Sequence, residues 1–286
     1  MKLFTATLIT RNEEQNLPRA LESLRLADEI VVVDSGSTDR TVEVARQHGA
    51  RVVVHPLTNF AEQKNFAAAQ ATHDWILNLD ADEVISPELA DELRAWKERP
   101  PEAVAYRMPR KANYLGSWIR HSGWYPDPKV RLYRRDRARF VGALHESVQV
   151  DGTVGELRGE ILHYTCDSLA DHVAKVNYFT TLAARELHAQ SPNSGRGWLV
   201  SLLFAPPLTF LRTYLFQQGF RDGYRGLLIA GMAGFYTFLK YAKLGVLASG
   251  GTLDASTPAR RGPSSLARDG ERKTNREQQS NHRPHA

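Results

Sequence analysis

The chain reads as an α/β protein with a mainly parallel central sheet flanked by helices. Three observations predict this. The first hundred residues alternate short apolar runs with helical stretches. Glu29–Asp34 (EIVVVD) has the β-branched character of a strand buried on both faces. The segment DWILNLDADE, residues 74–83, is an apolar run that ends abruptly in Asp80, Asp82 and Glu83. A βαβα rhythm of this kind produces parallel strands covered by helices.

Taken in order, Phe4–Ile9 is a strand, and Asn16–Leu26 is a helix with Leu17, Leu21 and Leu24 at helical spacing. Glu29–Asp34 is the second strand. Thr38–His48 is a helix closed by Gly49. Arg51–His55 is the third strand, Ala61–Ala71 an Ala-rich helix and Asp74–Asp80 the fourth strand. Ser86–Glu98 is a helix with Ser86 as N-cap and Pro87 at its first position. Residues 102–166 change character. Strand-like pieces, Ala103–Met108, Val130–Arg134 and Glu160–Tyr164, are joined by loops rich in Gly, Pro and aromatics, the kind that bind ligands. Residues 168–190 form an amphipathic helix with Val173, Val176, Phe179, Leu182 and Leu187 near one stripe.

Trp198–Leu211 and Gly226–Leu239 are apolar, 14 residues each, and Pro206-Pro207 interrupts the first. At about 21 Å as helix, each falls short of the roughly 30 Å hydrocarbon core. Basic residues and aromatics flank both runs, which fits helices lying in a membrane interface; a buried helical hairpin is the alternative. The expected organisation is one domain over 1–190, a helical membrane-associating segment over 191–249 and a disordered polar tail over 250–286.

At 286 residues, 42% hydrophobic and 24% charged, the chain is ordinary globular material. Cys166 is its one cysteine, so no internal disulfide can form. The N-terminus reaches charge too early for a signal peptide, which predicts a cytoplasmic location. The net charge of +5 is uneven: residues 102–149 hold ten Lys/Arg against four Asp/Glu. Such a section is either a solvated face or a surface for an anionic partner.

Asp80 and Asp82 stand at i and i+2 of an extended segment and so face one side together. Converging carboxylates repel unless a cation lies between them. Hard oxygen ligands suit Mg²⁺ or Mn²⁺, which carboxylates commonly share with substrate phosphates. The alternative is an acidic turn before the Ser86 helix. Asp34 ends a buried strand at the carboxyl edge, where α/β sheets bind ligands. Its carboxylate suits a nucleobase N–H or a ribose hydroxyl, or else caps a turn. Gly36 and Ser37 permit that turn, and Asp39 caps the following helix.

The segments LITRNEEQNL (Leu8–Leu17), VVVDSGSTDRT (Val31–Thr41) and LDADE together resemble the donor-site motifs of family-two glycosyltransferases with the GT-A fold, the last being their DxD motif. SGWYPDPKVRLYRR (Ser122–Arg135) and GALHESV (Gly142–Val148) resemble the subgroup that adds glucose to the inner core of bacterial lipopolysaccharide. The resemblance implies an inverting, metal-dependent transfer from a nucleotide sugar, UDP-glucose in that subgroup, to a hydroxyl of a lipid-linked anionic glycan. It assigns Thr10, Arg11, Asn12, Glu13, Asp34, Ser35, Gly36, Lys64, Asp80 and Ala81 to the nucleotide sugar. It places the metal, Mg²⁺ or Mn²⁺, on Asp82 with Asp80 beside it. His163, or His145, can supply a further ligand because neutral imidazole binds Mn²⁺; a core histidine is the alternative at His163. Glu83 orients these ligands from behind. Displacement at an anomeric carbon requires an acceptor hydroxyl to lose its proton. Glu146 is the candidate base and Asp127, in the aromatic WYPDP loop, its competitor. Trp124 and Tyr125 either stack on a sugar or pack in the core.

The implied setting is peripheral association with the inner face of the cytoplasmic membrane, with no nucleic-acid partner. A polyprenyl phosphate acceptor is the close rival. A nucleotidyltransferase would show a glycine-rich phosphate loop after the first strand, and LITRNEE has no glycine. A dehydrogenase is disfavoured because no G-x-G-x-x-G follows a strand.

Overall fold

The computed structural model describes residues 1–142, 146–190 and 197–253. Nearly all of the expected disordered tail, and His145, lie outside the described residues. The first half follows the expected rhythm. Strands β1 (Phe4–Thr10), β2 (Glu29–Asp34), β3 (Arg51–Val54) and β4 (Trp75–Asp80) pair in parallel in the order β3-β2-β1-β4. The crossovers carry α1 (Leu17–Ser23), α2 (Thr41–Gln47) and α3 (Phe60–Gln70). Helix α2 starts three residues later than expected because Asp39 accepts the Thr41 N–H (3.0 Å) and holds residues 39–41 in a local turn. Ser86 caps α4 (Pro87–Glu98) as expected, its Oγ accepting the Leu89 N–H.

The second half is mixed rather than parallel. After the short β5 (Glu83–Ile85) come β6 (Ala105–Tyr114), β7 (Ser117–Trp118) and β8 (Asp127–Arg134). The hairpin of β9 (Ala138–Val141) and β10 (Ser147–Val150) stands apart, and β11 (Val154–Glu156) and β12 (Ile161–Cys166) complete the strands. Strand β8 enters antiparallel between β4 and β6, giving the order β3-β2-β1-β4-β8-β6-β12-β5. This insertion matters for function because it sets the basic β8 directly beside the acidic end of β4.

Two apolar layers hold the sheet. Leu17 and Leu21 of α1 and Leu89, Leu93 and Trp96 of α4 cover one face with Leu8, Leu77 and Leu79. On the other face, Ala67 of α3 packs on Val31 and Val33, while Ala61 and Ala68 pack near Ile76 and Tyr133. Glu29 ties the polar end of this unit together. It accepts from Thr5 Oγ1 (2.7 Å), the Thr72 N–H (2.8 Å) and Oγ1 (3.0 Å), and Arg51 Nη2 (2.7 Å).

Beyond α5 (Leu169–Gln190), helix α6 (Gly197–Leu211) continues through a π-helical turn, Arg212–Phe216; a 3₁₀ turn, Gly219–Asp222, leads into α7 (Gly223–Ala248). Two expectations are corrected here. Pro206-Pro207 do not interrupt the helix, and the two helical runs span 20 and 26 residues rather than 14. The prolines withhold two N–H donors, but α7 packs closely at this point: a Cβ on Gly234 would lie 3.1 Å from the Pro206 carbonyl oxygen. Gly226 permits the return of the chain, since a Cβ there would lie 1.8 Å from the Gly219 carbonyl oxygen.

Leu77→Ala removes a fully buried side chain from the central strand pair and should cost about 2–5 kcal/mol in urea unfolding. Burial alone would raise the Glu29 carboxyl, but its donors outweigh this and hold it at about 2. A carboxyl depressed below its unfolded value of ~4.3 stabilises the fold above that pH and loses the contribution as pH falls toward the folded value. Wild-type stability should therefore drop between about pH 4 and pH 2. Glu29→Gln should be less stable at neutral pH and show a flatter acid limb in denaturation measured against pH.

Candidate active site

The loops after β1, β2 and β4 open at one edge of the sheet. Those after β1 and β2 are stitched to each other. Asp34, 1% exposed, accepts the N–H groups of Gly36 (2.9 Å) and Ser37 (2.8 Å) on Oδ2, and Thr10 Oγ1 (3.2 Å) on Oδ1. Gly36 takes φ +82°, the left-handed region this turn needs. Asn12, also left-handed at φ 57°, donates its N–H to Ser37 Oγ (2.9 Å) and accepts the Thr38 N–H (2.8 Å). Glu13 donates its N–H to Thr41 Oγ1 (2.8 Å) and accepts from Asn16 Nδ2 (2.9 Å). Ser35 Oγ accepts from Gln63 Nε2 (3.0 Å). Arg11 Nε is buried without a hydrogen-bond partner. The turn-forming role of Asp34 is thus what the contacts show.

The end of β4 carries a chain of alternating charges. Lys64 of α3 is buried, 2% exposed. Its Nζ lies 2.8 Å from Asp80 Oδ1 and 2.9 Å from Glu146 Oε1. Asp80 Oδ2 lies 2.9 Å from Arg131 Nη2 of β8, and the same nitrogen lies 2.7 Å from Glu83 Oε1. Glu83, fully buried, also meets Arg110 Nη1 of β6 (3.1 Å) and accepts the Asp80 N–H (3.1 Å) on Oε2. Arg110 continues to Asp127 Oδ2 (2.6 Å), whose other oxygen meets Lys129 Nζ (2.9 Å). One ladder therefore runs Glu146–Lys64–Asp80–Arg131–Glu83–Arg110–Asp127, with the two candidate bases at its ends.

Electrostatics follow from this arrangement. Burial alone would raise Asp80, but Lys64 and Arg131 beside it hold it well below the usual carboxylate range. Asp127 is pushed up by burial and pulled down further by Arg110 and Lys129. Asp82 is not a continuation of β4; it sits in the turn between β4 and β5, beside the buried Ala81. Its Oδ2 lies 3.4 Å from His163 Nε2 on β12, and that proximity keeps its carboxyl low against the effect of burial.

For a hard divalent cation the fit differs between the three candidate ligands. Asp82 and His163 are adjacent, partly exposed and of the right donor type. Asp80 has both oxygens committed to cations. Among the described residues no group of three or more His, Cys, Asp or Glu converges in metal-binding geometry. Asp82 and His163 thus fit a cation whose other ligands come from the substrate, with Asp80 beside them.

Trp124 packs edge-on against Tyr114 (5.5 Å between ring centres), and Tyr125 donates to Glu160 (2.9 Å). Sequence reasoning missed Arg131 and Arg110. A signal was present for Arg131, a charge between Val130 and Leu132 of a strand, where alternation turns it toward the face opposite its neighbours.

The chain belongs to glycosyl transferase family 2, whose sequence profile matches residues 5–149. It is 32% identical over 248 residues to the lipopolysaccharide core biosynthesis glycosyltransferase LpsC of Rhizobium meliloti, covering 84% of this chain and 91% of that one. It is equally 32% identical over 257 residues to an uncharacterized glycosyltransferase of Rickettsia typhi, covering 85% and 87%. Among solved structures it is similar to S. aureus TarS 1-349 in complex with UDP-GlcNAc, with a TM-score of 0.43, 15% identity and 89% and 93% coverage.

Arg131→Met strands Glu83 and Asp80 against fewer cations. Breaking a buried ion pair costs about 3–5 kcal/mol, and urea unfolding should show a loss of that size. A loss below about 1 kcal/mol would mean that the ladder does not hold this edge together.

Proposed function

We propose that this protein is an inverting glycosyltransferase moving glucose from UDP-glucose to a hydroxyl of a lipid-linked anionic glycan, the lipopolysaccharide inner core, at the inner face of the cytoplasmic membrane. The observation that carries the reading is the ladder, in which a buried lysine joins the DxD aspartate to a carboxylate that can act as base. The likeness to LpsC across most of both chains supports the acceptor. The ten Lys/Arg of residues 102–149 suit an anionic one.

In this reading Asp34, Thr10, Ser35, Gly36 and the Arg11–Glu13 loop line the uridine end. Asp82 and His163, with Asp80 beside them, would hold Mg²⁺ or Mn²⁺, and a bound divalent cation neutralises the diphosphate leaving group. Lys64 brings a further positive charge to the same end. Glu146 accepts the proton of the attacking hydroxyl. Of the two candidate bases it has the lighter restraint: among the described residues the contacts of Glu146 run to Lys64 alone, while Asp127 carries cations on both oxygens. Much of the rate comes from holding donor and acceptor in line.

Purified protein should consume UDP-glucose in a Mg²⁺- or Mn²⁺-dependent manner and move label into extracted lipopolysaccharide core. Label passing instead to polyprenyl phosphate would replace the acceptor and leave the donor site standing. Failure to bind any nucleotide sugar in calorimetry would remove the reading altogether. Glu146→Gln should lower transfer by about 10²–10⁴-fold with donor affinity unchanged. If Asp127→Asn does this and Glu146→Gln does not, the base is Asp127.

A further inference from the structure

Helix α6 leaves one whole face uncovered by the described residues. Its exposed positions recur in adjacent pairs every four residues, from Leu199-Val200 to Leu215-Phe216, and Arg212 is the one charge among them. Phe204 and Leu208 are each 62% exposed, and Phe216, where the π-helical turn ends, is 82% exposed. Spacing of this kind makes a continuous apolar stripe along one side of a helix. An exposed apolar surface of this length marks an interaction site.

Charge identifies the occupant. Residues 197–253 hold Arg212, Arg221, Arg225, Lys240 and Lys243 against a single acid, Asp222. The Asp222 side chain is 6% exposed, turned inward and engaged by the N–H groups of Arg120 (3.2 Å) and His121 (3.0 Å) and by Ser122 Oγ (3.1 Å). Lys243 and Arg225 are likewise engaged inward, by α5 and by the Leu115 carbonyl. This segment therefore offers the outside an apolar face with Arg212, Arg221 and Lys240 as its cations, the complement of an anionic bilayer surface.

Layering identifies the orientation. At 20 residues, about 30 Å, the helix from Gly197 to Phe216 is long enough to cross the hydrocarbon core. Its inner side packs on α7, where Thr237 Oγ1 meets Thr209 Oγ1 (3.3 Å). Helix α7 is in turn pinned to α5 by Lys243 Nζ, which donates to the Asn177 carbonyl (2.6 Å), Thr180 Oγ1 (2.8 Å) and Thr181 Oγ1 (2.7 Å). Helix α5 carries Asp171, Lys175, Arg185 and Glu186 and is unsuited to hydrocarbon. A spanning α6 would drag this charged layer in behind it. A helix lying flat, outermost in the stack α5–α7–α6, would not.

We propose that the outer face of α6 and its π-helical turn is a docking surface for an anionic phospholipid bilayer, lying in the plane of the interface with its apolar stripe down. This builds on the membrane setting of the proposed function and adds to it the face, the orientation and the lipid charge. It has a functional corollary: Asp222, six residues beyond Phe216, fixes the docked segment to the loop that leads to Asp127.

Flotation of the full chain with vesicles tests it, comparing phosphatidylglycerol/phosphatidylethanolamine with phosphatidylcholine alone. The protein should float with the anionic vesicles, less so at high salt, and be released by alkaline carbonate. The double variant Leu203→Glu/Phe204→Glu should reduce flotation at least about tenfold, and Arg212→Glu should weaken it on anionic vesicles selectively. UDP-glucose affinity without vesicles reports folding and the donor site separately and should be unchanged in all three proteins. Wild-type protein that does not float, or variants that float as well as wild type, would overturn the proposal while leaving the donor reading intact. Resistance to carbonate would overturn it in favour of a spanning helix. A wild-type dimer that the double variant converts to monomer would overturn it in favour of a second copy on this face.

Discussion

Everything at the sheet edge where β4 ends depends on the burial of Lys64 and Arg131 between carboxylates. Neither cation could lie there alone, because desolvating an unpaired charge is prohibitive. Asp80 in turn stays ionised against its burial because the two cations flank it. Each charge is thus the condition for the next, and the ladder locks α3, β4, β8 and β6 into one register. A strand order that places β8 between β4 and β6 is what makes this possible, for only there does an arginine from a late strand face an aspartate from an early one.

The ladder also bears on the two carboxylates that compete in the sequence for the role of base. Glu146 lies in a glycine-flanked segment and is the candidate there, with Asp127, in an aromatic loop, as its competitor. In the fold they occupy opposite ends of one electrostatic chain, and their restraint differs because Asp127 is clamped by cations from β6 and β8. A base must give up its resting contacts as the acceptor arrives, and a carboxylate held from one side can do so more readily than one held from both.

The parallel half of the fold was legible because its signals are local. EIVVVD and WILNLD are runs that hardly fit anything but buried strands, and Ser86-Pro87 announces a helix start by its own chemistry. The loops after β1 and β2 were legible as turns for the same reason, since their motifs are short and contiguous. Four things were not. The insertion of β8 depends on pairing between strands fifty residues apart. Arg131 and Arg110 looked like part of a general basic surface, and only the register shows them turned inward onto Glu83. Asp82 was expected on the strand with Asp80, but the turn begins one residue earlier. Pro206-Pro207 suggested a break by a rule for isolated helices, whereas a helix supported along one side by a glycine-bearing neighbour tolerates them.

Asp222 occupies the position before α7 where an aspartate normally caps its own helix, yet its carboxylate makes no such bond and reaches across to residues 120–122 instead. Arg225 reinforces the same junction by donating to the Leu115 carbonyl (3.0 Å). The folded unit therefore does not end where the sheet ends. A protein trimmed at residue 190 to improve its solubility would keep the loops after β1, β2 and β4 and lose the anchor of the loop leading to Asp127. On the proposed function, its donor binding would then be a poor guide to how the untrimmed chain treats an acceptor.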